Sequence, residues 1–427
     1  MNDHRFTRKL SRRRLLALGG GTLAAAAGAR LLPTIRPFSV TPGGATGPSA
    51  DVEAATLPTI EKHLAGTDGW VSLPGGTPNG AIYPDSLAPA GKTTYVFGFR
   101  DVTGLDNQTI LAQKGKAQIS APLLYVDQEH DLKLTLTNLG LQQRPDLTDS
   151  HTVHFHGFRN AIPLFDGVPE MSIGVPIGSQ FTYFYRLRDP GTYMYHCHYE
   201  DVEHVQMGMQ GIIVVRPLKN QQTGQKYAYN DSDGSTRYDR EFALFLSEIS
   251  SEAHYDDAHI QLFDWSEYRP DFWLMNGRVY PDTLLPNGDP LAAANQGTPL
   301  QHQPISSLIT ANAGERVLLR FVNLGYQEHS MTLDGIPLHV VGKDATLLRG
   351  RTGADTSATT NTIQIGPGES YDAIFTAPAV TTQSTWLLYN RKYAYQTNGG
   401  ASGQGGQMTE VRVSPAGTLP PQTAPNY

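Results

Sequence analysis

The chain has 427 residues, enough for two or three domains with substantial hydrophobic cores. It contains 43 glycines, 29 prolines and only 17% charged residues, a composition that favours a loop-rich β protein over a helical one. The formal net charge of -7, without a Lys/Arg-rich block after the N-terminus, gives no electrostatic reason to expect nucleic-acid binding. Small molecules or ions are therefore the expected partners.

Residues 1–29 have the features of an export signal. A basic stretch that includes Ser11-Arg-Arg-Arg-Leu-Leu16 precedes an apolar Gly/Ala-rich run, and Ala27-Gly28-Ala29 offers a small-residue cleavage site. The pattern resembles a bacterial twin-arginine signal, which predicts a periplasmic, cell-envelope or secreted protein. An uncleaved membrane anchor is the alternative, but the stretch is short and three consecutive glycines interrupt it. No later segment is long enough to span a bilayer, so we expect no stable span in the mature chain.

The remainder of the chain divides by composition. Short runs with period-two alternation, such as Leu132–Thr137, Phe181–Arg186 and Gly211–Val215, predict strands of an all-β sandwich or barrel. Polar, Pro-rich or Gly-rich stretches separate two such regions. The expected segments are a lead segment (30–85), a first domain (86–218), a linker (219–240), a second domain (241–415) and a loose tail (416–427).

The single cysteine, Cys197, lies between His196 and His198. A lone cysteine cannot form an internal disulfide, so the sequence favours a thiolate metal ligand over an inert buried thiol. Imidazoles and a thioether lie in the same part of the chain, at His151, His154, His156, His204 and Met209. Thiolate, imidazole and thioether ligands together favour copper.

Side-chain alternation along a strand divides these residues into two groups. Cys197 points to one face, whereas His196 and His198 point to the other. The parity predicts an outer site of His151, Cys197, His204 and Met209, and an inner site of His154, His156, His196 and His198. The peptide bonds between Cys197 and its neighbouring histidines would join the two sites, which suits the transfer of single electrons.

The two halves of the chain look like copies of one unit. Leu-Thr-Asn138-Leu-Gly precedes the first histidine cluster, and Phe-Val-Asn323-Leu-Gly precedes His329. Aligning His151 with His329 places Thr332 opposite His154 and Asp334 opposite His156. The segment Trp386–Lys392, which corresponds to the Cys197 region, contains neither histidine nor cysteine. Metal chemistry is therefore expected mainly in the first domain.

Three motifs carry a family resemblance: His151-x-x-His-x-His-Gly157, Phe165-Asp-Gly-Val-Pro169, and Gly191-Thr-Tyr-Met-Tyr-His-Cys-His198 with the following His204 and Met209. They resemble the multicopper oxidase and copper nitrite reductase superfamily of cupredoxin domains. The similarity runs from about residue 90 to 415. It is greatest to two-domain, laccase-like oxidases with type-1 copper in the first of two Greek-key cupredoxin domains.

The resemblance implies roles for individual residues. His151, Cys197 and His204 would be the equatorial ligands of the type-1 copper, with Met209 as the axial ligand, although Met207 competes for that place. Asp166 would assist proton delivery, although it could simply serve the turn at Gly167. The ligands of the oxygen-reducing copper site would be His154, His156, His196 and His198. Two-domain members also imply a homotrimer.

Two departures from the family pattern leave alternatives open. The oxidases build a three-copper cluster from eight histidines of two facing domains, and the second unit here lacks its share. Nitrite reductases have an aspartate where this chain has His154 and no histidine at the place of His198. Their third catalytic ligand comes from a neighbouring subunit, a role that His329 or His339 could take.

The sequence thus predicts a copper oxidoreductase that takes single electrons from a phenolic, metal-ion or protein reductant and reduces dioxygen. Copper is the expected cofactor, as a type-1 ion plus an inner site of uncertain nuclearity. The alternatives are a nitrite-reductase-like enzyme and a non-catalytic cupredoxin that transfers electrons or handles copper.

Overall fold

The computed structural model describes residues 57–426 except 77–79, 81 and 159–161. The predicted export signal and the first part of the predicted lead segment lie outside the described residues. Within them, β-strands far outnumber short helices, which confirms the all-β prediction. No helix in these ranges is long and apolar enough to cross a membrane.

The first domain is a sandwich of two four-stranded sheets, with strand orders β2-β1-β4-β6 and β3-β8-β7-β5. Strand β1 is parallel to β4, and β3 is parallel to β8. The strands are β1 (Thr59–Val71), β2 (Thr94–Asp101), β3 (Leu124–Asp127), β4 (Asp131–Asn138), β5 (His154–Phe155), β6 (Gln180–Arg186), β7 (Gly191–His196) and β8 (Gln210–Arg216). The three alternating runs of the sequence coincide with β4, β6 and β8, and their inward side chains form the core.

The second domain repeats this architecture with a seven-stranded and a five-stranded sheet. The larger sheet has the order β10-β9-β12-β18-β14-β15, with β16 also paired to β14, and the smaller has the order β11-β20-β19-β13-β17. The strands are β9 (Arg240–Ile249), β10 (Phe272–Met275), β11 (Ile309–Asn312), β12 (Arg316–Asn323), β13 (His329–Leu333), β14 (Leu338–Lys343), β15 (Thr346–Leu347), β16 (Ala358–Thr360), β17 (Thr362–Ile365), β18 (Ser370–Thr376), β19 (Ser384–Asn390) and β20 (Met408–Ser414).

Short helices lie in the connections. The α-helices are α1 (Asn107–Leu111), α2 (Asp201–Met207), α3 (Leu218–Thr223) and α4 (Ser251–Ala258). The 3-10 helices are Pro163–Phe165, Trp265–Glu267, Asp282–Leu284, Ala293–Asn295 and Tyr393–Gln396. Helix α2 joins β7 to β8, so it brings the segment after Cys197 back over the end of the first sandwich.

The predicted lead segment is wrong for residues 59–71, which form β1. Strand β1 pairs with both β2 and β4 and is therefore an interior strand of the first domain. Its sequence conceals this because Gly66, Gly69 and charged residues interrupt the alternation. Gly69 faces the backbone of Ala117 so closely that a Cβ atom would come within 2.7 Å of its nitrogen. These glycines mark close packing and not a loop.

The predicted linker and tail are also more ordered than their composition indicates. Between β8 and β9 the chain forms α3, and Ala228, Tyr229 and Tyr238 are buried against the second domain. In the tail, the side-chain oxygen atoms of Gln422 and Asn426 accept hydrogen bonds from the backbone of β9 at 2.8 Å each. Polar side chains that satisfy main-chain groups thus anchor a segment that was expected to be loose.

The outer face of β7 and β8 packs against the second domain. Met194 and Ile212 share a buried apolar cluster with Phe245 and Val322. Residues of β7 at even positions point to this face, so the parity that buries Met194 directs His196 along the same face. The two domains therefore meet beside the predicted inner histidines.

Candidate metal centres

A buried sulfur atom and two imidazole nitrogens converge in the first domain. The Sγ atom of Cys197 lies 3.3 Å from Nδ1 of His204 and 3.9 Å from Nδ1 of His151, and all three residues are buried. The three ligand atoms lie within 4.8 Å of one another. This donor set fits a copper ion and does not suit a hard cation, which prefers oxygen ligands.

Backbone contacts fix the position of the sulfur. Cys197 follows the last residue of β7, and its N–H donates to the carbonyl of Met209 at 3.0 Å. The N–H of Thr152 points at Sγ from 3.5 Å. A strand end, a loop and the segment between α2 and β8 thus hold Cys197 in place before any metal binds.

Close packing at Gly66 bears on the choice between Met207 and Met209. Met207 and Met209 are both fully buried, so burial does not distinguish them. A Cβ atom at Gly66 would lie 2.8 Å from Cδ2 of His151 and 3.2 Å from Cε of Met209. The end of the Met209 side chain is therefore next to the His151 ring, which favours Met209 as the axial ligand.

The two histidines stabilise a thiolate at this site. Burial opposes ionisation, but the adjacent His204 and His151 rings lower the pKa of Cys197 well below that of an ordinary thiol. Because the thiolate is the form that binds metal, the protein prepares the ligand in the required state.

Carboxylates lie on the outer side of His204 and were missed in the sequence. The Nε2 atom of His204 has no hydrogen-bond partner and lies 3.9 Å from Oδ2 of Asp149. Ligand atoms of Asp149, Glu200 and His204 lie within 4.8 Å of one another. Asp149 is two residues from His151, a proximity that could have indicated it, whereas Glu200 reaches the site only because of the turn before α2.

The four predicted inner histidines lie together on the opposite face of β5 and β7. His154 pairs with His196 across the two strands, and Nε2 of His156 lies 2.9 Å from Nε2 of His196. The ring of His198 is 5.2 Å from that of His154 and 5.5 Å from that of His196. In the structure, the two groups of side chains therefore lie on opposite faces.

Main-chain carbonyl groups orient two of these rings. Nδ1 of His154 donates to the carbonyl oxygen of Asp166 at 2.6 Å, and Nδ1 of His196 donates to the carbonyl oxygen of Cys197 at 2.7 Å. In each ring the proton is therefore on Nδ1, so Nε2 carries the lone pair that a metal would bind. The Asp166 carboxylate lies 3.8 Å from Nδ1 of His154 and is partly exposed. Asp166 thus contacts the inner site through both its backbone and its side chain.

Burial keeps three of the inner rings uncharged. Burial first, and then the neighbouring imidazoles, lower the pKa of His156 to about 4 and that of His196 to about 3. The pKa of His154 is lowered for the same reason. Neutral imidazoles are the form that binds copper, so the free nitrogen atoms at this site fit the metal that the outer site also fits.

A cavity of about 280 Å³ adjoins the inner histidines. His154 and His156 line one side, and Asp344, Gly368 and Ser370 of the second domain line another. This space provides access for a small molecule beside the free nitrogen atoms.

The second domain lacks a matching set of histidines. Thr332 pairs with Tyr389 as His154 pairs with His196, so the strand register agrees with the sequence alignment. His329 is fully buried within its own domain and hydrogen-bonded to Asn390, so it cannot reach a neighbouring subunit. His339 lies on β14, bonded to Thr359. In the described residues, the histidine-rich cluster belongs to the first domain.

Comparisons with known structures agree with the fold of the two domains. A blue copper oxidase from Nitrosomonas europaea has 22% sequence identity and a TM-score of 0.60, covering 83% of this chain and 86% of its own. The multicopper oxidase mgLAC has 21% identity and a TM-score of 0.56, with coverages of 85% and 89%. A copper nitrite reductase from N. europaea has 17% identity and a TM-score of 0.51, with coverages of 85% and 96%. At these identities the likeness shows the fold alone.

Family models give the decisive match. No curated protein matches significantly. Two models, both described as multicopper oxidase, match residues 102–220 and 252–413, which together are well over half of the chain. The family uses type-1 copper and additional copper sites, and its members are oxidoreductases that take a reductant and dioxygen. The chain belongs to the multicopper oxidase family.

Proposed function

We propose that the chain is an exported copper oxidase that oxidises a reductant at a type-1 site and reduces dioxygen at an inner site. His151, Cys197 and His204 would hold the type-1 copper, with Met209 as the axial ligand. The inner copper would bind at His154, His156, His196 and His198. Copper, when bound, supplies one-electron oxidation at the first site and dioxygen reduction at the second. The observation that carries the proposal is the convergence of two Nδ1 atoms on Cys197, whose neighbour His196 faces His156.

The protein itself provides a path for electrons and a group that delivers protons. The peptide bond between Cys197 and His196 provides a short covalent connection between the two ligand groups. Reduction of dioxygen to water consumes protons, and the partly exposed Asp166 carboxylate beside His154 is placed to deliver them. The cavity beside His154 and His156 provides room for dioxygen.

For the reductant, we propose a metal cation in preference to a phenol or a protein. The supporting observation is the group of carboxylates outside His204, where Asp149 faces a buried nitrogen that has no hydrogen-bond partner. Carboxylates attract and orient a cation close to the buried copper ligand that they adjoin. A neutral phenol would gain one hydrogen bond there but no comparable charge attraction.

The central test combines copper content with turnover. Copper-loaded protein is expected to show the blue absorption of a cysteine-ligated copper and to consume oxygen with ferrous iron faster than with a phenol. A blue protein that turns over neither oxygen nor nitrite would support a non-catalytic electron-transfer role instead. Colourless protein after careful reconstitution would contradict the type-1 assignment.

Nitrite reduction is the second candidate, and one observation favours it. The second domain offers no histidines to complete a three-copper cluster, so the inner site is expected to bind fewer ions than the usual oxidase cluster. The close pair of Nε2 atoms of His156 and His196 would suit a single ion. Copper per chain, measured together with oxygen and nitrite consumption, separates the two candidates.

Export and assembly are proposed from the sequence and the family. Replacing Arg12 and Arg13 by lysine should block export of the folded protein if the twin-arginine signal is correct. A homotrimer would give about three times the chain mass in light scattering of the copper-loaded protein. A monomeric mass would contradict that assembly without affecting the type-1 assignment.

A further inference from the structure

A buried polar chain occupies the place in the second domain that corresponds to the outer copper ligands of the first. By strand register, His329 and Asn390 are equivalent to His151 and Cys197. Both are fully buried, and Nδ1 of His329 lies 3.2 Å from Nδ2 of Asn390. A hydrogen bond thus replaces the contact between imidazole and sulfur.

The direction of this hydrogen-bond chain is fixed by the backbone. Nε2 of Gln407 donates to the carbonyl groups of Ser247 and Leu274, so its Oε1 accepts from Nδ2 of Asn390 at 2.8 Å. The other hydrogen of that amide points to Nδ1 of His329, which must accept it. The proton of neutral His329 is therefore on Nε2.

The nitrogen that carries this proton lies near a buried carboxylate. Nε2 of His329 lies 3.5 Å from Oε2 of Glu248, and neither side chain is exposed. The other carboxylate oxygen accepts from the backbone N–H groups of Tyr326 and, at 3.0 Å, Gln327. A Cβ atom at Gly325 would overlap Oε2 of Glu248, so the loop can close over the carboxylate only with glycine there.

The first domain has an equivalent contact between a carboxylate and a loop, made by a shorter side chain. Asp68 corresponds to Glu248, because Gly66 and Leu246 pair with equivalent asparagines. Its carboxylate accepts from the N–H groups of Gln142 and Gln143 at 2.8 and 2.6 Å. The additional methylene group of Glu248 lets it hold the loop and also face a histidine.

The residues around Glu248 hold helix α2, which carries His204. The carbonyl oxygen of Glu248 accepts from Nε2 of Gln206 at 3.0 Å, and Tyr268 donates its hydroxyl to Oε1 of Gln206 at 2.6 Å. The hydroxyl of Tyr326, whose own N–H bonds the carboxylate, donates to the carbonyl of Val202. The second domain therefore contacts α2 through side chains that converge on Glu248.

We propose that Glu248, oriented by His329, is a positioning residue that holds helix α2 and thereby the type-1 ligand His204. The degenerate site of the second domain thus retains a purpose: it supports the copper site of the first. This inference rests on the proposed role of His204 as a copper ligand, whereas the support of α2 does not depend on copper.

The test is the Glu248→Gln variant. The amide keeps the size of the side chain but can place an N–H group opposite the Nε2 proton of His329. That proton cannot shift to Nδ1, because Nδ1 accepts a hydrogen bond from the chain anchored at Gln407. We expect hydrogen exchange across Asp201–Met207 of the metal-free protein to accelerate by about tenfold or more, while β4 is unchanged. In the copper-loaded protein we expect a shift of the blue absorption and of the reduction potential.

A second variant guards against general misfolding. Tyr326→Phe removes only the hydroxyl that bonds Val202 and should accelerate exchange in α2 to a smaller extent. Tyr227→Phe is the matched control, because its hydroxyl bonds only Gln225 and it should leave α2 unchanged. Unchanged α2 exchange in Tyr326→Phe, together with either unchanged or uniformly accelerated exchange in Glu248→Gln, would overturn the proposal. Altered exchange in a protein without blue absorption would instead contradict only the assignment of His204.

Discussion

At the scale of single residues, Cys197 determines whether the outer site can hold copper. Replacing it by serine exchanges a soft thiolate for a poor copper ligand. We expect Cys197→Ser to lose the blue absorption, one copper per chain and turnover together, while copper at the inner histidines is retained. Visible absorption, metal analysis and oxygen uptake measure these effects. Met207→Leu, which changes a neighbouring buried sulfur, should remain blue, and loss of colour in that variant would question the choice of Met209.

Asp149 is expected to determine the preference for a cationic reductant. Asp149→Asn keeps the shape of the side chain but removes the charge beside Nε2 of His204. The KM for ferrous iron should rise by about tenfold, with little change for a phenol. Steady-state kinetics with both reductants check this, and Glu61→Gln, which removes an exposed charge, serves as control. An equal loss with both reductants would mean that Asp149 only supports the histidine.

At the scale of elements, β1 supports the outer site through the absence of a side chain. A methyl group at Gly66 would meet the His151 ring and the end of Met209. We expect Gly66→Ala to shift the blue absorption, weaken copper binding and destabilise the metal-free protein by about 1–3 kcal/mol. Gly76→Ala, where no atom of the described residues lies within 4 Å of the new carbon, should change neither property. Copper titration and urea unfolding measure the two effects, and an unperturbed Gly66→Ala site would contradict the packing argument.

The sequence predicted those elements whose pattern is local. Alternation predicted β4, β6 and β8, and parity placed Cys197 and its neighbouring histidines on opposite faces. Strand β1 was not predicted, because Gly66 and Gly69 interrupt the alternation. Residues from elsewhere in the chain pack closely against both glycines. The sequence pattern also missed Glu200, which a turn brings to the site, and the carbonyl groups that orient His154 and His196. The alternation of residue types along a segment gives no information about contacts between main-chain atoms that are far apart in the sequence.

At the scale of the whole molecule, buried charges join the two domains. The Arg320 side chain is fully buried between Glu241 and Asp372, and it also donates to the hydroxyl of Thr192 on β7 at 2.9 Å. Tyr229 donates to the same Asp372 carboxylate at 2.6 Å. Buried charges are costly unless they are paired, and here each charge has an opposite partner, so the network specifies how β7 meets the second domain.

Two buried histidines at this junction make the stability of the molecule sensitive to acid. Nδ1 of His254 donates to the carbonyl of Tyr95 at 2.6 Å, and the carbonyl of His302 accepts from the N–H of Ile119 at 3.0 Å. Burial lowers the pKa of His254 to about 4. It lowers that of His302 to about 3, with nearby cations, Arg100 first, adding to the effect. In the unfolded chain both would titrate near 6.5.

As pH falls below 6.5, these two histidines therefore bind protons in the unfolded chain but not in the folded chain. Each histidine should lower the free energy of unfolding by up to about 1.4 kcal/mol per pH unit until the folded pKa is reached. Urea unfolding of the metal-free protein between about pH 7 and pH 5 should show this loss. His302→Gln and His254→Gln should each flatten the dependence relative to the unchanged protein, and both together should flatten it most. An identical slope in all four proteins would mean that these rings become charged without unfolding, and that acid enters the domain junction while the fold persists.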